Sequence, residues 1–137
     1  MNEWYKLIQL ECHKDVRGSL CVIESENVIP FKIRRVFYDY GNIDCNYSRG
    51  NHANRFSKFG IVSISGSCSI LINNGKEQRS ILLDSPEKML YIDKMVWKEI
   101  KSLSQNNIIL VLSDGLYNAD EYIRDFNVFL DEINKKQ

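Results

Sequence analysis

The densest group of side chains able to do chemistry is Tyr47-Ser48-Arg49-Gly50-Asn51-His52-Ala53-Asn54-Arg55. An extended run from Asn51 to Arg55 alternates its side chains. It therefore puts His52 and Asn54 on one face and Ala53 on the other. An imidazole with a pKa near about 6.5 can take and return a proton at neutral pH. An amide beside it can donate a hydrogen bond to a developing enolate oxygen but cannot act as a base. If that face lines a pocket, His52 and Asn54 sit side by side in it, the imidazole to move a proton and the amide to hold an oxygen. If it does not, His52 is a satisfied histidine at the start of a strand. His13 is the only other histidine of the chain and is remote in sequence.

Arginines supply anion recognition, because a guanidinium binds phosphate bidentately. Arg49 and Arg55 flank His52, Arg17 sits beside Gly18 in a turn, and Arg34 and Arg35 alternate so that only one points inward. The bland alternative for each is a solvated surface residue. In Phe37-Tyr38-Asp39-Tyr40, Tyr38 and Tyr40 share a face, where a phenol can donate a proton or hold a sugar oxygen. Trp97 either stacks on a base or sugar or fills the core. The cluster supplies one histidine, with Asn54 where a second ligand would stand, so no metal and no other cofactor are expected.

These residues need a scaffold, and the dominant pattern is short β-rich segments broken by turn chemistry. Strands are predicted at Trp4–Leu10, Leu20–Ile23, Ile33–Tyr40, Gly60–Ile64, Ser67–Ile72, Ser80–Leu83, Met89–Ile92 and Asn107–Ser113. Asn73-Asn74-Gly75 reads as a type I′ hairpin turn. The apolar run Asn107–Ser113 suits a strand buried on both faces. About eight or nine close-spaced strands predict an all-β barrel or sandwich, and a small barrel with a helix cap leaves one mouth open to a small ligand. The tail differs. Asn118 reads as the N-cap of a helix carrying Tyr122, Phe126, Phe129, Leu130 and Ile133, with Lys135 and Lys136 at its end. It covers the barrel or packs on a partner.

Length and composition set the outer bounds. The chain has 137 residues, 18 Lys plus Arg against 18 Asp plus Glu, and no net charge. That suits one domain, residues 1–137, and argues against a nucleic-acid binder, which needs a concentrated basic face. The N-terminus lacks the features of a signal peptide, and no stretch approaches the roughly 18 apolar residues of a membrane span. A cytoplasmic protein without membrane partners is expected. The cysteines at 12, 21, 45 and 68 form no CxxC pair and are expected as free thiols, with Cys21 and Cys68 buried.

Several segments occur together in one order: Asp15-Val16-Arg17-Gly18-Ser19-Leu20, Ile33-Arg34-Arg35-Val36-Phe37-Tyr38, Arg49-Gly50-Asn51-His52-Ala53-Asn54-Arg55, Ser65-Gly66-Ser67-Cys68, Leu83-Asp84-Ser85-Pro86 and Tyr122-Ile123-Arg124-Asp125-Phe126. The sequence thereby resembles the WxcM-like small cupins, the nucleotide-sugar 3,4-ketoisomerases acting on dTDP-4-keto-6-deoxyglucose. The resemblance implies an all-β, metal-free cupin β-barrel of jelly-roll type with a C-terminal α-helix, a homodimer with exchanged strands and a dTDP-linked keto sugar as partner. It also implies movement of the keto group from C4 to C3, feeding synthesis of 3-amino-3,6-dideoxy sugars of surface glycans. His52 matches the first histidine of the family's H-A-H segment and Tyr38 its strand tyrosine, with Asn54 completing the catalytic set. Arg17, Arg35, Arg49, Arg55, Tyr40, Trp97 and Lys98 fall on the implied substrate-binding side. The chain departs from the family pattern twice: Asn54 replaces the second histidine, and the W-H-E segment reads Trp97-Lys98-Glu99. A silent nucleotide-sugar-binding cupin and a 3/5-epimerase are the alternatives.

Overall fold

The computed structural model describes residues 3–42 and 45–135. Among them are twelve strands: β1 (Tyr5–Gln9), β2 (Glu11–Asp15), β3 (Gly18–Val22), β4 (Arg35–Asp39), β5 (Ser48–Asn54), β6 (Phe59–Ser65), β7 (Cys68–Asn73), β8 (Gln78–Leu83), β9 (Lys88–Ile92), β10 (Trp97–Ser102), β11 (Ile108–Ser113) and β12 (Tyr122–Ile123). One α-helix, α1 (Phe126–Lys135), follows. Two five-stranded sheets, ordered β1-β9-β6-β11-β4 and β12-β5-β10-β7-β8, carry the domain, and β2–β3 form a separate hairpin. The fold class is the expected all-β cupin, but the sheets face each other as an unclosed sandwich rather than a sealed barrel.

The core lies between the sheets. Phe59 and Ile61 of β6, Leu90 and Ile92 of β9, and Ile109 and Val111 of β11 meet Ile70 and Ile72 of β7 and Leu83 of β8. Each fully buried aliphatic side chain there contributes roughly 1.5–3 kcal/mol. The first sheet is also covered on its other face, where Val62, Met89 and Leu112 pack against Ile29 and Phe31. The run Asn107–Ser113 thus behaves as expected, with alternate residues of β11 entering opposite cores. The outer face of β5 and β10 is covered by α1, whose Phe129 packs on Ala53, Trp97 and Ile123.

Several expectations are corrected. Asn118 caps not the helix but a short 3₁₀ turn, Ala119–Glu121, by accepting from Asp120 N. Tyr122 and Ile123 then pair with Asn54 and Ala53 as β12. The helix begins only at Phe126, with Asp125 Oδ1 accepting from Asn127 N and Val128 N. The periodic aromatic spacing ran past a real break. Lys136 lies outside the described residues. The β7–β8 connection spans 74–77, four residues rather than two. Asn74 Oδ1 accepts from Lys76 N and Glu77 N, while Gly75 takes the left-handed φ of +94° against Ile133 of α1. Cys12 and Cys21 are directly opposed on β2 and β3 and are joined by a disulfide, which overturns the free-thiol reading. Cys21 is only half-buried. Cys68 is buried as expected.

Candidate functional site

A cavity of about 420 Å³ lies between the two sheets, lined by residues of both. β4, β6 and β11 supply Phe37, Tyr38, Asp39, Phe59, Ile61, Ile109 and Val111. The opposing sheet supplies Arg49, His52, Lys98, Ile100 and Tyr122. The floor is therefore apolar, with a small number of polar groups converging on it, as small-molecule sites require.

Backbone irregularity aims the histidine. In the β5–β10 ladder, Lys98 faces His52 and Glu99 faces Gly50, so Asn51 is an extra, bulged residue. Asn51 has φ +52° and Gly50 has φ +85°, so the extended run starts at His52 rather than Asn51. A Cβ on Gly50 would sit 3.0 Å from the Lys98 carbonyl oxygen. Glycine is thus required twice over, for its φ and for the close approach. The bulge brings the Gly50 carbonyl 2.7 Å from His52 Nδ1. A carbonyl only accepts, so Nδ1 carries the hydrogen of the neutral ring and Nε2 is the basic nitrogen. Tyr122 supports the ring at a centroid distance of 4.7 Å.

Burial pushes the His52 pKa down to about 4, helped by the positive charges of Lys98 and Arg124. Hydrogen bonds to Gly50 and Asn54 pull it the other way. At neutral pH this imidazole is an uncharged base.

Asn54 shares the His52 face, as alternation predicts, but it lies deeper and is only 1% exposed. It does not line the cavity. Its Nδ2 donates to Glu121 Oε1 at 2.8 Å, and its Oδ1 accepts from Lys98 Nζ at 3.0 Å. Glu121 is held further by Ser57 Oγ at 2.6 Å and by the backbone N–H groups of Phe56 and Ser57. Lys98, 5% exposed, also places Nζ 4.7 Å from the centre of the Phe59 ring. Burial pushes its pKa down to about 7, opposed by the attraction of Glu121. Glu121 and Ser57 escaped the sequence reading because an acid in a presumed first helical turn reads as solvated. The order Asn54–Phe56–Ser57 beside a capped turn was the only available signal.

The rim is more open. Tyr38 and Tyr40 stack at 6.0 Å, and Arg49 Nε reaches Asp39 Oδ1 at 2.9 Å. Other sequence-selected residues lie outside the cavity wall. Arg35 leans on the Phe37 and Tyr117 rings. Its Nε and Nη2 are buried without a hydrogen-bond partner among the described residues. Arg55 is committed to Glu132 and to the Asp120 carbonyl, tying β5 to α1. Trp97 packs on Phe126 and Phe129 and donates to Glu99 Oε2, because strand alternation turns it away from Lys98. Arg17 pairs with Asp15 at the tip of the β2–β3 hairpin, and His13 lies on that hairpin against Glu11. His52 is thus the only imidazole at the cavity.

The sequence matches the family described as FdtA, WxcM-like, C-terminal, over residues 3–134. The chain belongs to this family. It is 35% identical over 130 residues to the TDP-4-oxo-6-deoxy-alpha-D-glucose-3,4-oxoisomerase of Aneurinibacillus thermoaerophilus, covering 95% of this chain and 93% of that protein. A 3,4-ketoisomerase from Helicobacter canadensis superposes with a TM-score of 0.91 at 37% identity, covering 95% of this chain and 97% of that one. The sugar 3,4-ketoisomerase QdtA from Thermoanaerobacterium thermosaccharolyticum, solved with TDP, gives 0.92 at 31% identity over 99% and 98%. Within this WxcM-like member, Asn54 and Lys98, the two positions expected from the resemblance to depart from its pattern, are hydrogen-bonded to each other.

Proposed function

We propose that the chain is a TDP-sugar 3,4-ketoisomerase that converts TDP-4-keto-6-deoxyglucose to its 3-keto isomer. The observation that carries the reading is a neutral, basic imidazole, His52, aimed by a bulge into a cavity large enough for a hexose. Family membership over residues 3–134 supports it. His52 removes the proton from C3, the electron pair forms the C3=C4 bond of an enediol, and reprotonation at C4 leaves the ketone at C3. No oxidant is needed, because the reaction is an internal redox exchange between adjacent carbons. Tyr38 and Tyr40 hold sugar oxygens at the rim. Arg49, at the cavity rim, receives the diphosphate, and Arg35 backs that wall through its packing on Phe37. Arg55 and Trp97 serve the site by fixing the strands that carry it. The 3-keto product is the kind of sugar an aminotransferase turns into a 3-amino-3,6-dideoxy sugar of a surface glycan.

The protein acts in the cytoplasm as a homodimer with exchanged strands. Supporting this, β2 and β3 pair with no other described strand, and β4 is a sheet edge with Val36, Phe37 and Tyr38 exposed. A second copy that reaches the rim brings Arg17 with its hairpin. No described helix is long and apolar enough to cross a membrane.

Incubation with TDP-4-keto-6-deoxyglucose and NMR of the product ring tests the reading. A 3-keto sugar with C5 unchanged is expected. An inverted C3 or C5 with the ketone still at C4 would make the protein an epimerase, and an unchanged sugar a binding protein.

A further inference from the structure

Moving a ketone between neighbouring carbons needs four proton movements: off C3, onto O4, off O3 and onto C4. His52 can serve the carbon edge, but Asn54 cannot exchange protons with the oxygens. A polar side chain of the cavity wall directly beside His52 is Lys98. It lies across the strand pair from His52, is 5% exposed and is part of the cavity wall. Its immediate neighbours are an amide and an aromatic ring rather than a carboxylate. Among the described residues it forms no ion pair. Its hydrogen-bond acceptor is the neutral amide oxygen of Asn54. That same amide donates to Glu121, so Asn54 stands between the lysine and the carboxylate that would otherwise lock it as an ammonium. From β6 and β11 Phe59, Ile61, Ile109 and Val111 face the cavity, and from β7 Ile72 lies opposite Lys98 in the ladder. The titratable groups nearby are His52, the buried Glu121 behind Asn54, Tyr38 and Tyr122, while the Arg49–Asp39 pair sits at the rim.

We propose that Lys98 is the second proton-transfer group of this site, exchanging protons with the O3–O4 edge of the sugar while His52 serves C3 and C4. The inference rests on the ketoisomerase reading above. His52 takes the C3 proton, the C–H pair becomes the C3=C4 bond, and the carbonyl pair moves to O4, which takes a proton from the Lys98 ammonium. The Lys98 amine then takes the O3 proton, the O–H pair forms the C3 ketone, and C4 takes the proton held by His52. Both groups end as they began. Desolvation, which pushes the Lys98 pKa down to about 7, makes both of its forms accessible at neutral pH. The two groups are also coupled: a charged Lys98 lowers the basicity of His52, and its loss of a proton restores it. In this arrangement Asn54 is a positioning residue rather than a catalytic one.

Lys98→Arg keeps a charged donor at the oxygens but cannot give up its proton. In deuterated water, Lys98→Arg is expected to wash out the C3 proton within about 10-fold of the wild-type rate, while conversion to the 3-keto sugar falls at least about 100-fold. TDP affinity should stay within about threefold, which shows an intact fold. Conversion by Lys98→Arg within about threefold of wild type would overturn the proposal. Should the arginine not fit, the wild-type enzyme carrying lysine labelled with ¹³C at Cε gives a second reading. One lysine is expected to titrate with a midpoint near 7. No lysine midpoint below about 9 would overturn the proposal. A wild-type protein that neither converts the sugar nor exchanges C3 would overturn the ketoisomerase reading itself. Conversion undiminished by the variant overturns this inference alone.

Discussion

Two buried polar networks sit at opposite ends of β10, and their difference separates structure from chemistry. At the Ser102 end, Ser102 Oγ donates to Asn107 Oδ1 at 2.8 Å, and Asn107 Nδ2 donates to Ser63 Oγ at 2.8 Å and to the Ser65 carbonyl. All members are neutral and mutually satisfied, and none lines the main cavity. At the Lys98 end the network is charged, spans Lys98, Asn54, Glu121 and Ser57, and opens through Lys98 onto the cavity beside His52. A fold needs only the first kind. Buried charges cost desolvation energy, so the second kind points to a site whose chemistry uses them.

The largest predicted effect is on Glu121. Glu121→Ala orphans Asn54 Nδ2, Ser57 Oγ and two backbone N–H groups, and it strands Lys98 without a nearby negative charge. A loss of about 3–5 kcal/mol is expected in denaturant unfolding. A loss below about 1 kcal/mol would mean that the network is solvated.

Next comes the acid limb of stability. The His52 pKa is about 4 in the folded protein and lies near its ordinary 6.5 once unfolded. Between these values the unfolded chain binds the extra proton, so this contribution is full above about 6.5, is lost as pH falls from about 6.5 to about 4, and changes no further below that. The part owed to His52 is roughly 2–3 kcal/mol, and it should vanish from the pH 7 to pH 4 difference in a His52→Gln variant.

Smaller again, Asn107→Ala should cost about 2 kcal/mol at the neutral end while leaving kcat and KM unchanged. A drop in kcat would erase the distinction between the two ends.

The smallest effect is a near-cancellation. Lys98→Met removes a desolvated cation, but it orphans Asn54 Oδ1 and leaves Glu121 buried without its cation, so the net change at pH 7 should stay within about 1 kcal/mol. The folded pKa of Lys98 is depressed from 10.5 to about 7, so the favourable part of that change is greatest at or below pH 7 and fades toward pH 10.5. Thermal unfolding at pH 7 and pH 10 reads the difference.

The same contrast explains what the residues announced. β6, β7 and β11 were legible because β-branched runs enter a packed core. β10 was not, since Trp97–Ser102 reads WKEIKS and its inward positions include Lys98 and Ser102, residue types that normally face water. β2 was hidden for another reason: its residues are mostly exposed, so no alternation marks it. Tyr122 and Ile123 were absorbed into a helical spacing that Asp125 actually begins. His52 was legible from scarcity and motif order. The disulfide depended on a register that no sequence pattern fixed, and the burial of Glu121 depended on a tertiary contact across 67 residues.

The central claim is that His52 moves a proton between C3 and C4 of a keto sugar in this cavity. The direct measurement is NMR of TDP-4-keto-6-deoxyglucose in deuterated water with the wild-type protein and with His52→Asn. A 3-keto product is expected with the first, carrying deuterium at C4 to the extent that the proton on His52 exchanges with solvent before it is returned, and conversion slowed at least about 100-fold with the second. Conversion by His52→Asn at the wild-type rate would contradict it.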